Sequence, residues 1–146
     1  MSRARVRLKA SSWSAGRQPH LIHGDLTARN VLVWRGRLRP LDFQDLMGGF
    51  DAQDLGITLA DLRRHQIDES LVAGIARGYG RLRAWPIGGP DEESTLAAIR
   101  SLSLLNFALC MDRPDLADFI EQQKVEIRRW MTGVRFGDGS ALRQHR

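Results

Sequence analysis

The sequence predicts an α+β, mostly α fold, in which one β-hairpin packs beside a bundle of about four helices. Three observations predict it. Val31 to Trp34 and Leu38 to Phe43 are apolar-rich runs on either side of Arg35-Gly36, a tight-turn pair, and together read as strand, turn and returning strand. Leu71, Ile75, Tyr79, Leu82 and Trp85 recur at the spacing of one helical face. Pro86-Ile87-Gly88-Gly89-Pro90 then breaks that pattern, so the periodic segments on its two sides are separate helices.

The chain has 146 residues. That fits one domain with its own core, burying roughly 70% of the unfolded surface. A hydrophobic content of 42% excludes bulk disorder. Residues 1–19, with Ser11, Ser12, Ser14 and Gly16, read as a basic, loosely ordered lead-in. His20 to Asn30 reads as a loop-like segment entered by Leu21 and Ile22. The hairpin follows, and Pro40 fits an exposed side of its second strand. Asp42 to Asp54 is acidic, contains Gly48 and Gly49, and reads as a loop. The first helix is expected from about Ala52 to Arg64, and the second carries the Leu71–Trp85 face. Asp91, Glu92 and Glu93 suit the start of the third, which should reach about Met111. Pro114 suits the first turn of the fourth, which should bury Leu116, Phe119, Ile120, Ile127 and Trp130. Gly133, Gly137 and Gly139 end the order and leave residues 132–146 as a polar, basic tail.

Charge and cysteine content narrow the function classes. The net charge is +5, but it is uneven. Arg3, Arg5, Arg7, Lys9 and Arg17 occupy the first twenty residues without an acid, and residues 128–146 carry five arginines against Asp138. The middle of the chain is therefore net acidic. The basic ends lack interleaved aromatics and any nucleic-acid-binding module, so solvated tails are expected rather than a nucleic-acid partner. The single Cys110 excludes an internal disulfide framework and a cysteine zinc site, and its apolar surroundings predict a small buried hydrophobe. No window approaches the ~20 apolar residues of a membrane span, and the N-terminus lacks the apolar run of a signal peptide. A cytoplasmic location and no membrane partner are expected.

Asp25, Asn30 and Asp42 stand out as a chemical constellation. Asp25 and Asn30 are five residues apart across a short loop, and Asp42 arrives at the far end of the hairpin. A hairpin returns its ends to one place, which puts Asn30 and Asp42 close together. Two oxygen donors there suit Mg²⁺, which takes carboxylate and carbonyl oxygens together with phosphate and water. Asp25 beside them suits a general base that accepts the proton of an attacking hydroxyl. A positioned base, metal ligands and charge neutralisation are the parts that phosphoryl transfer needs.

The order of these residues resembles a known family. His23-Gly24-Asp25-Leu26-Thr27-Ala28-Arg29-Asn30 matches the H-x-D-x-x-x-x-N catalytic loop of protein-kinase-like enzymes, and Leu41-Asp42-Phe43-Gln44-Asp45 matches their metal-binding Asp-Phe-Gly segment, with Gln at the Gly position. Residues 21–60 resemble the aminoglycoside phosphotransferase and choline kinase family, where a second acidic motif ends in Asp-Leu-Ala or similar; Asp54-Leu55-Gly56 stands in that place. The resemblance implies a kinase-like C-terminal lobe over residues 20–131. It implies Asp25 as catalytic base, and Asn30 and Asp42 as ligands of Mg²⁺ and hence of ATP. It also implies that Asp54 buttresses the catalytic loop through backbone hydrogen bonds. His23 is expected to be structural, His20 has no assigned role, and Arg29 is as easily a surface residue as a phosphate contact.

Two departures from protein kinases point to a small substrate. Gly24 replaces the Arg that pairs with a phosphorylated activation loop. Eleven residues between Asp42 and Asp54 are too few for such a loop, and no Ala-Pro-Glu motif follows. A hydroxyl- or amine-bearing small molecule is expected, and Asp45, Asp51 and Asp61 are candidates to attract a cationic one. The Gly-rich strand-turn-strand and the strand Lys of a complete kinase have no counterpart before His20. Truncation of a longer chain is the favoured expectation; the alternatives are a missing lobe supplied by another chain, or a non-catalytic remnant that serves as a binding module.

Overall fold

A computed structural model of the chain describes residues 17–66, 69–111 and 113–133. Apart from residues 17–19 and 132–133, the expected lead-in and tail lie outside the described residues. The elements in chain order are strands β1 (His20–Ile22), β2 (Val31–Trp34), β3 (Arg37–Pro40) and β4 (Met47–Gly49), then helices α1 (Asp51–Arg64), α2 (Glu69–Gly80), α3 (Pro90–Cys110) and α4 (Ala117–Thr132). Two small antiparallel sheets and four helices make a mostly helical α+β fold. The chain forms two compact units that divide after Gly89, and each is described by itself.

In the first unit, β2 and β3 are the expected hairpin, with Val31 opposite Pro40 and Trp34 opposite Arg37. Arg35 and Gly36 have φ of 50° and 71°, the paired left-handed residues of the turn that matches strand twist. The returning strand ends at Pro40, short of the expected Phe43. Asp42 adopts a left-handed backbone (φ 60°, ψ 67°), which breaks the strand, and Phe43–Asp45 form a 3₁₀ turn. All four residues of β3 are exposed, Pro40 among them.

The second sheet was not legible as strand. β1 pairs with β4, with His20 opposite Gly49 and Ile22 opposite Met47, so part of the acidic segment after Asp42 is sheet and not loop. Gly48 and Gly49 carry no strand propensity. A Cβ at Gly49 would lie 2.4 Å from Ile22 Cδ1 and 2.6 Å from Gln53 Oε1, so only glycine lets Ile22 bury there. Gln53 closes the start of α1: its Oε1 accepts the Phe50 N–H at 2.8 Å, and its own N–H donates to the Phe50 carbonyl at 2.8 Å.

Helix α1 is the core element of this unit. Ala52, Leu55, Gly56, Leu59, Ala60 and Leu62 are buried along it, the spacing of a core-facing stripe. Helix α2 ends at Gly80, before Leu82 and Trp85, because Gly78 and Gly80 interrupt it and Leu82 N–H turns back to the Tyr79 carbonyl at 2.9 Å. Leu82 is therefore 86% exposed and does not extend the helical face. Trp85 instead packs edge-on to Tyr79, with ring centroids 5.8 Å apart.

In the second unit, α3 begins with Pro90 in its first turn, followed by Asp91, Glu92 and Glu93, as the helix dipole favours. It packs against α4. Trp130 near the end of α4 donates from Nε1 to Thr95 Oγ1 near the start of α3 at 3.2 Å, so the two helices run antiparallel. Trp130 is buried as expected, but Leu116, Phe119, Ile120 and Ile127 are only half-buried, and Gln123 takes the most buried place on α4. Cys110, expected inside, is exposed at the last residue of α3. Gly133, with φ of 79°, ends α4 in the left-handed conformation that closes helices. No helix among the described residues is long and apolar enough to cross a membrane.

Leu59 is 1% exposed in the middle of the buried stripe. Leu59→Ala is expected to lower the unfolding free energy by about 2–5 kcal/mol, measured by urea denaturation. Leu82→Ala should change it by less than about 0.5 kcal/mol.

Candidate active site

The segment His23–Asn30 runs from β1 to β2 as a loop closed by its own hydrogen bonds. Thr27 N–H donates to the Asp25 carbonyl at 2.8 Å and Asn30 N–H to the Thr27 carbonyl at 3.0 Å. The Asn30 side chain donates from Nδ2 to both the Asp25 carbonyl and Asp25 Oδ2, each at 2.9 Å. Carbonyl and carboxylate oxygens only accept, so these bonds fix the amide orientation and turn Asn30 Oδ1 away from Asp25. At the hairpin mouth, Leu41 N–H donates to the Asn30 carbonyl at 2.8 Å, which brings Asp42 one residue from Asn30's partner. The three expected site residues thus lie on one continuous stretch of bonded backbone. Asp25 and Asn30 are half-buried, and Asp42 is exposed.

His23 ties the two motifs together. It is 6% exposed, its Nε2 lies 2.8 Å from the Leu41 carbonyl, and the Asp25 N–H points at its Nδ1 at 3.3 Å. A carbonyl cannot donate and an N–H cannot accept, so Nε2 carries the proton and Nδ1 is the acceptor. Both ring nitrogens are committed to backbone, which makes His23 a strut and not a metal ligand. Phe43 packs against its ring, with centroids 5.0 Å apart.

Asp54, in the first turn of α1, holds the loop from below. Its Oδ2 accepts the His23 N–H at 2.8 Å and its Oδ1 the Gly24 N–H at 2.9 Å. Hydrogen bonds to a charged acceptor contribute about 1.5–3 kcal/mol each. Gly24 has φ of 81°, a left-handed backbone conformation that favours glycine. A Cβ there would also meet the Asp45 carbonyl oxygen at 2.2 Å, so the close approach of the 3₁₀ turn accounts for glycine where protein kinases carry Arg.

Two further residues of α1 touch the loop: Thr58, which did not stand out in the sequence, and Asp61, which stood out only as an acid that could attract a cation. Thr58 Oγ1 donates to the Leu26 carbonyl at 2.6 Å, with the Asp54 carbonyl 3.0 Å away. Asp61 Oδ2 accepts the Ala28 N–H at 2.9 Å, and its Oδ1 lies 3.6 Å from His65 Nε2. Asp54, Thr58 and Asp61 are spaced four and three apart, one face of a helix, and that spacing is the signal that could have found them.

Asp51 is also engaged. Its Oδ2 accepts from Tyr79 Oη at 2.5 Å and Arg83 Nη1 at 3.2 Å, and Oδ1 pairs with His20 Nε2. Of the three acids expected to attract a cationic substrate, Asp51 and Asp61 are therefore already partnered, and Asp45 stands exposed in the 3₁₀ turn. Burial pushes the Asp51 carboxyl up, but the Tyr79 hydroxyl, His20 and Arg83 outweigh it and hold the carboxyl below its ordinary value. Burial, then the Asp51 hydrogen bond and charge, push the Tyr79 phenol up to about 12. The described residues contain no cluster of three His, Cys, Asp or Glu side chains able to hold a metal ion by themselves.

Tyr79 is the only tyrosine in the chain, so its phenolate absorbance can be read directly. The midpoint is expected near 12, not near the ordinary 10, in the native protein, and Asp51→Asn should bring it down. A native phenol raised above its unfolded value stabilises the fold fully below pH 10, and the gain disappears as pH rises from 10 to about 12. The lowered Asp51 carboxyl acts in the opposite sense, with stability lost as pH falls below 3.8. Melting temperature against pH should show both arms, and Tyr79→Phe should flatten the alkaline one. Gly24→Ala should destabilise by roughly 1–3 kcal/mol from its backbone conformation alone, measured by thermal denaturation.

No curated protein and no solved structure matches the chain. The family model of the phosphotransferase enzyme family matches residues 4–90, more than half of the sequence and all of the loop and hairpin just described. With His23, Asp25, Asn30, Asp42 and Asp54 all inside that match, the chain belongs to the phosphotransferase enzyme family of aminoglycoside phosphotransferases and their kinase-like relatives.

Proposed function

We propose that the chain is the kinase-like C-terminal lobe, over residues 20–131, of an ATP-dependent enzyme that phosphorylates a hydroxyl of a small molecule in the cytoplasm. The observation that carries this reading is the Asn30 side chain. Its Nδ2 pins Asp25 by two hydrogen bonds, which turns Oδ1 away from Asp25, and its backbone carbonyl accepts from Leu41, the neighbour of Asp42. One residue thereby orients the proposed base and offers an oxygen to the proposed cation.

Asp25 has one carboxylate oxygen fixed by Asn30, and this sets the direction in which the carboxylate meets an acceptor hydroxyl. It would take the hydroxyl proton as the oxygen attacks the γ-phosphoryl group, and the bond to the nucleoside diphosphate breaks. Asn30 Oδ1 and the Asp42 carboxylate are the donors for Mg²⁺. Among the described residues the Asp42 carboxylate has no hydrogen bond or ion pair, which leaves its oxygens open. Two protein oxygens fit an ion that completes its octahedron with water and nucleotide phosphate. Mg²⁺ with ATP, when bound, supplies charge neutralisation on the transferring group.

The substrate class follows from what surrounds Asp42. Asp45 is the exposed acid nearest in sequence, so any preference for a cationic acceptor such as an amino sugar, an aminoglycoside or choline rests on it. No Gly-x-Gly-x-x-Gly occurs in the 146 residues. In this reading the phosphate-covering lobe comes from elsewhere, in a longer protein or a separate chain.

A second reading, a non-catalytic docking module, is favoured by one observation. Val33 and Leu38 face each other across the hairpin and are 67% and 71% exposed. A hairpin bare on this scale is marginal in water without cover.

The deciding experiment measures Mg²⁺-dependent phosphoryl transfer from ATP to a panel of small hydroxyl compounds, with the wild-type chain and single variants. Asp25→Asn is expected to reduce turnover about 10²–10⁴-fold. Asn30→Ala and Asp42→Ala are expected to raise the Mg²⁺ concentration needed for half-maximal rate. Wild-type turnover in Asp25→Asn would remove Asp25 as base, and no transfer by the wild-type chain, alone or joined to a phosphate-covering lobe, would favour the docking module.

A further inference from the structure

The loop that carries Asp25 is not held by Asp54 alone. Four of its backbone groups are bonded to one face of α1. The His23 and Gly24 N–H groups go to Asp54, the Leu26 carbonyl to Thr58, and the Ala28 N–H to Asp61. The bonded residues bracket Asp25 on both sides. The helix that supplies them is seated by Leu55, Leu59 and Leu62, all buried.

Asp54 lies N-terminal to Asp25's position on this face, and its two bonds hold only the entrance to the loop. Beyond Asp25 the chain turns through Leu26, Thr27 and Ala28 into a 3₁₀ turn at Ala28–Asn30. Asn30 ties itself to Asp25 through Nδ2, so what the entrance alone leaves free is the position of this bonded unit relative to α1. Thr58 and Asp61 close that freedom. Thr58 donates to a carbonyl, and Asp61 accepts from an N–H two residues further on, so the helix face matches the alternating polarity of the loop. The Ala28 N–H is exposed, and water can replace Asp61 there with little loss of stability. What water cannot replace is the fixed distance from α1.

We infer that Thr58 and Asp61 are positioning residues that act on Asp25 through the loop backbone, completing with Asp54 a hydrogen-bond template for the reaction. This rests on the proposed role of Asp25 as base. Misplacing a reacting group by about 1 Å costs on the order of a hundredfold in rate. The template should therefore be read in turnover rather than in substrate binding or in melting temperature.

The test uses Thr58→Val, which keeps the shape and removes the hydroxyl, and Asp61→Ala, with Thr58→Ser and Asp61→Asn as the conservative pair. Below the melting transition, Thr58→Val and Asp61→Ala are expected to lower kcat roughly tenfold to a hundredfold with little change in KM for ATP or acceptor. Thr58→Ser and Asp61→Asn keep a donor and an acceptor in place and should restore most of the rate. Wild-type kcat in Thr58→Val and Asp61→Ala would overturn the inference. A second readout needs no turnover. In the unliganded protein, amide hydrogen exchange is followed by NMR at His23, Gly24 and Ala28, whose own bonds Thr58→Val leaves intact. If the face holds the loop as one unit, all three exchange faster in Thr58→Val. Unchanged exchange at all three would overturn the template. If the wild-type chain, alone or joined to a phosphate-covering lobe, transfers no phosphate, the proposed function fails while the exchange result still decides the template.

Discussion

One carboxylate carries the arrangement: Asp54 accepts the N–H groups of two consecutive residues, His23 and Gly24. The second of these amides belongs to a residue in the left-handed conformation that favours glycine. The glycine is in turn required by the backbone of Asp45, whose carbonyl oxygen stands far inside van der Waals contact of where a Cβ would be. The carboxylate that holds the Gly24 amide and the 3₁₀ turn that excludes a side chain there therefore act on one residue. The acid also sits where a helix favours it, in the first turn of α1. The burial of Leu55, Leu59 and Leu62 fixes that helix, so a packing free energy far from the loop becomes a positional constraint on the loop.

His23 converts this constraint from one motif into two. A donor is needed toward the Leu41 carbonyl and an acceptor toward the Asp25 N–H. Lysine and arginine offer no acceptor, and serine or threonine is too short to span both. A neutral imidazole presents one of each at opposite edges of a rigid ring. The ring thereby couples the segment that delivers Asp42 to the segment that delivers Asp25. It does so without a charge, which suits a residue 6% exposed.

Much of this was readable in the sequence, for physical reasons. The hairpin was legible because Arg35-Gly36 is a turn pair and Val31, Val33 and Trp34 on its first strand are β-branched or aromatic. From the hairpin follows the juxtaposition of Asn30 and Asp42, since antiparallel strands must return. Helix α1 was legible to within a residue because its apolar period is regular. The strand pair β1 and β4 was not, because its formation depends on the space that Gly49 leaves for Ile22, and a glycine advertises no such thing. The second helix was drawn too long because Leu82 and Trp85 continue the period by coincidence, past two glycines that end it. Thr58 went unread and Asp61 was read only as a charge for a different reason. Their partners are backbone groups, which residue identity does not name, and only their helical spacing from Asp54 points to them.

The acidic surplus in the middle of the chain changes meaning once those partners are known. Read as composition, Asp45, Asp51 and Asp61 are a field that draws cations. In the fold, Asp51 is neutralised locally by His20, Tyr79 and Arg83, and Asp61 and Asp54 point at amides. Asp54 and Asp61 keep their charge, but the oxygens that carry it are turned to the loop backbone and not to an incoming cation. The negative charge left open to solvent near the loop is that of Asp42 and Asp45, on the segment that also closes the hairpin. For the proposed reaction the consequence is a division of labour among the carboxylates. Those on the helix determine where the loop lies, and those on the 3₁₀ segment are free to meet a cation. The two tasks conflict in a single residue, because an oxygen that accepts two amide protons has little left for a metal. Placing them on separate elements, joined by the His23 ring, lets the frame stay fixed whether or not the cation is bound.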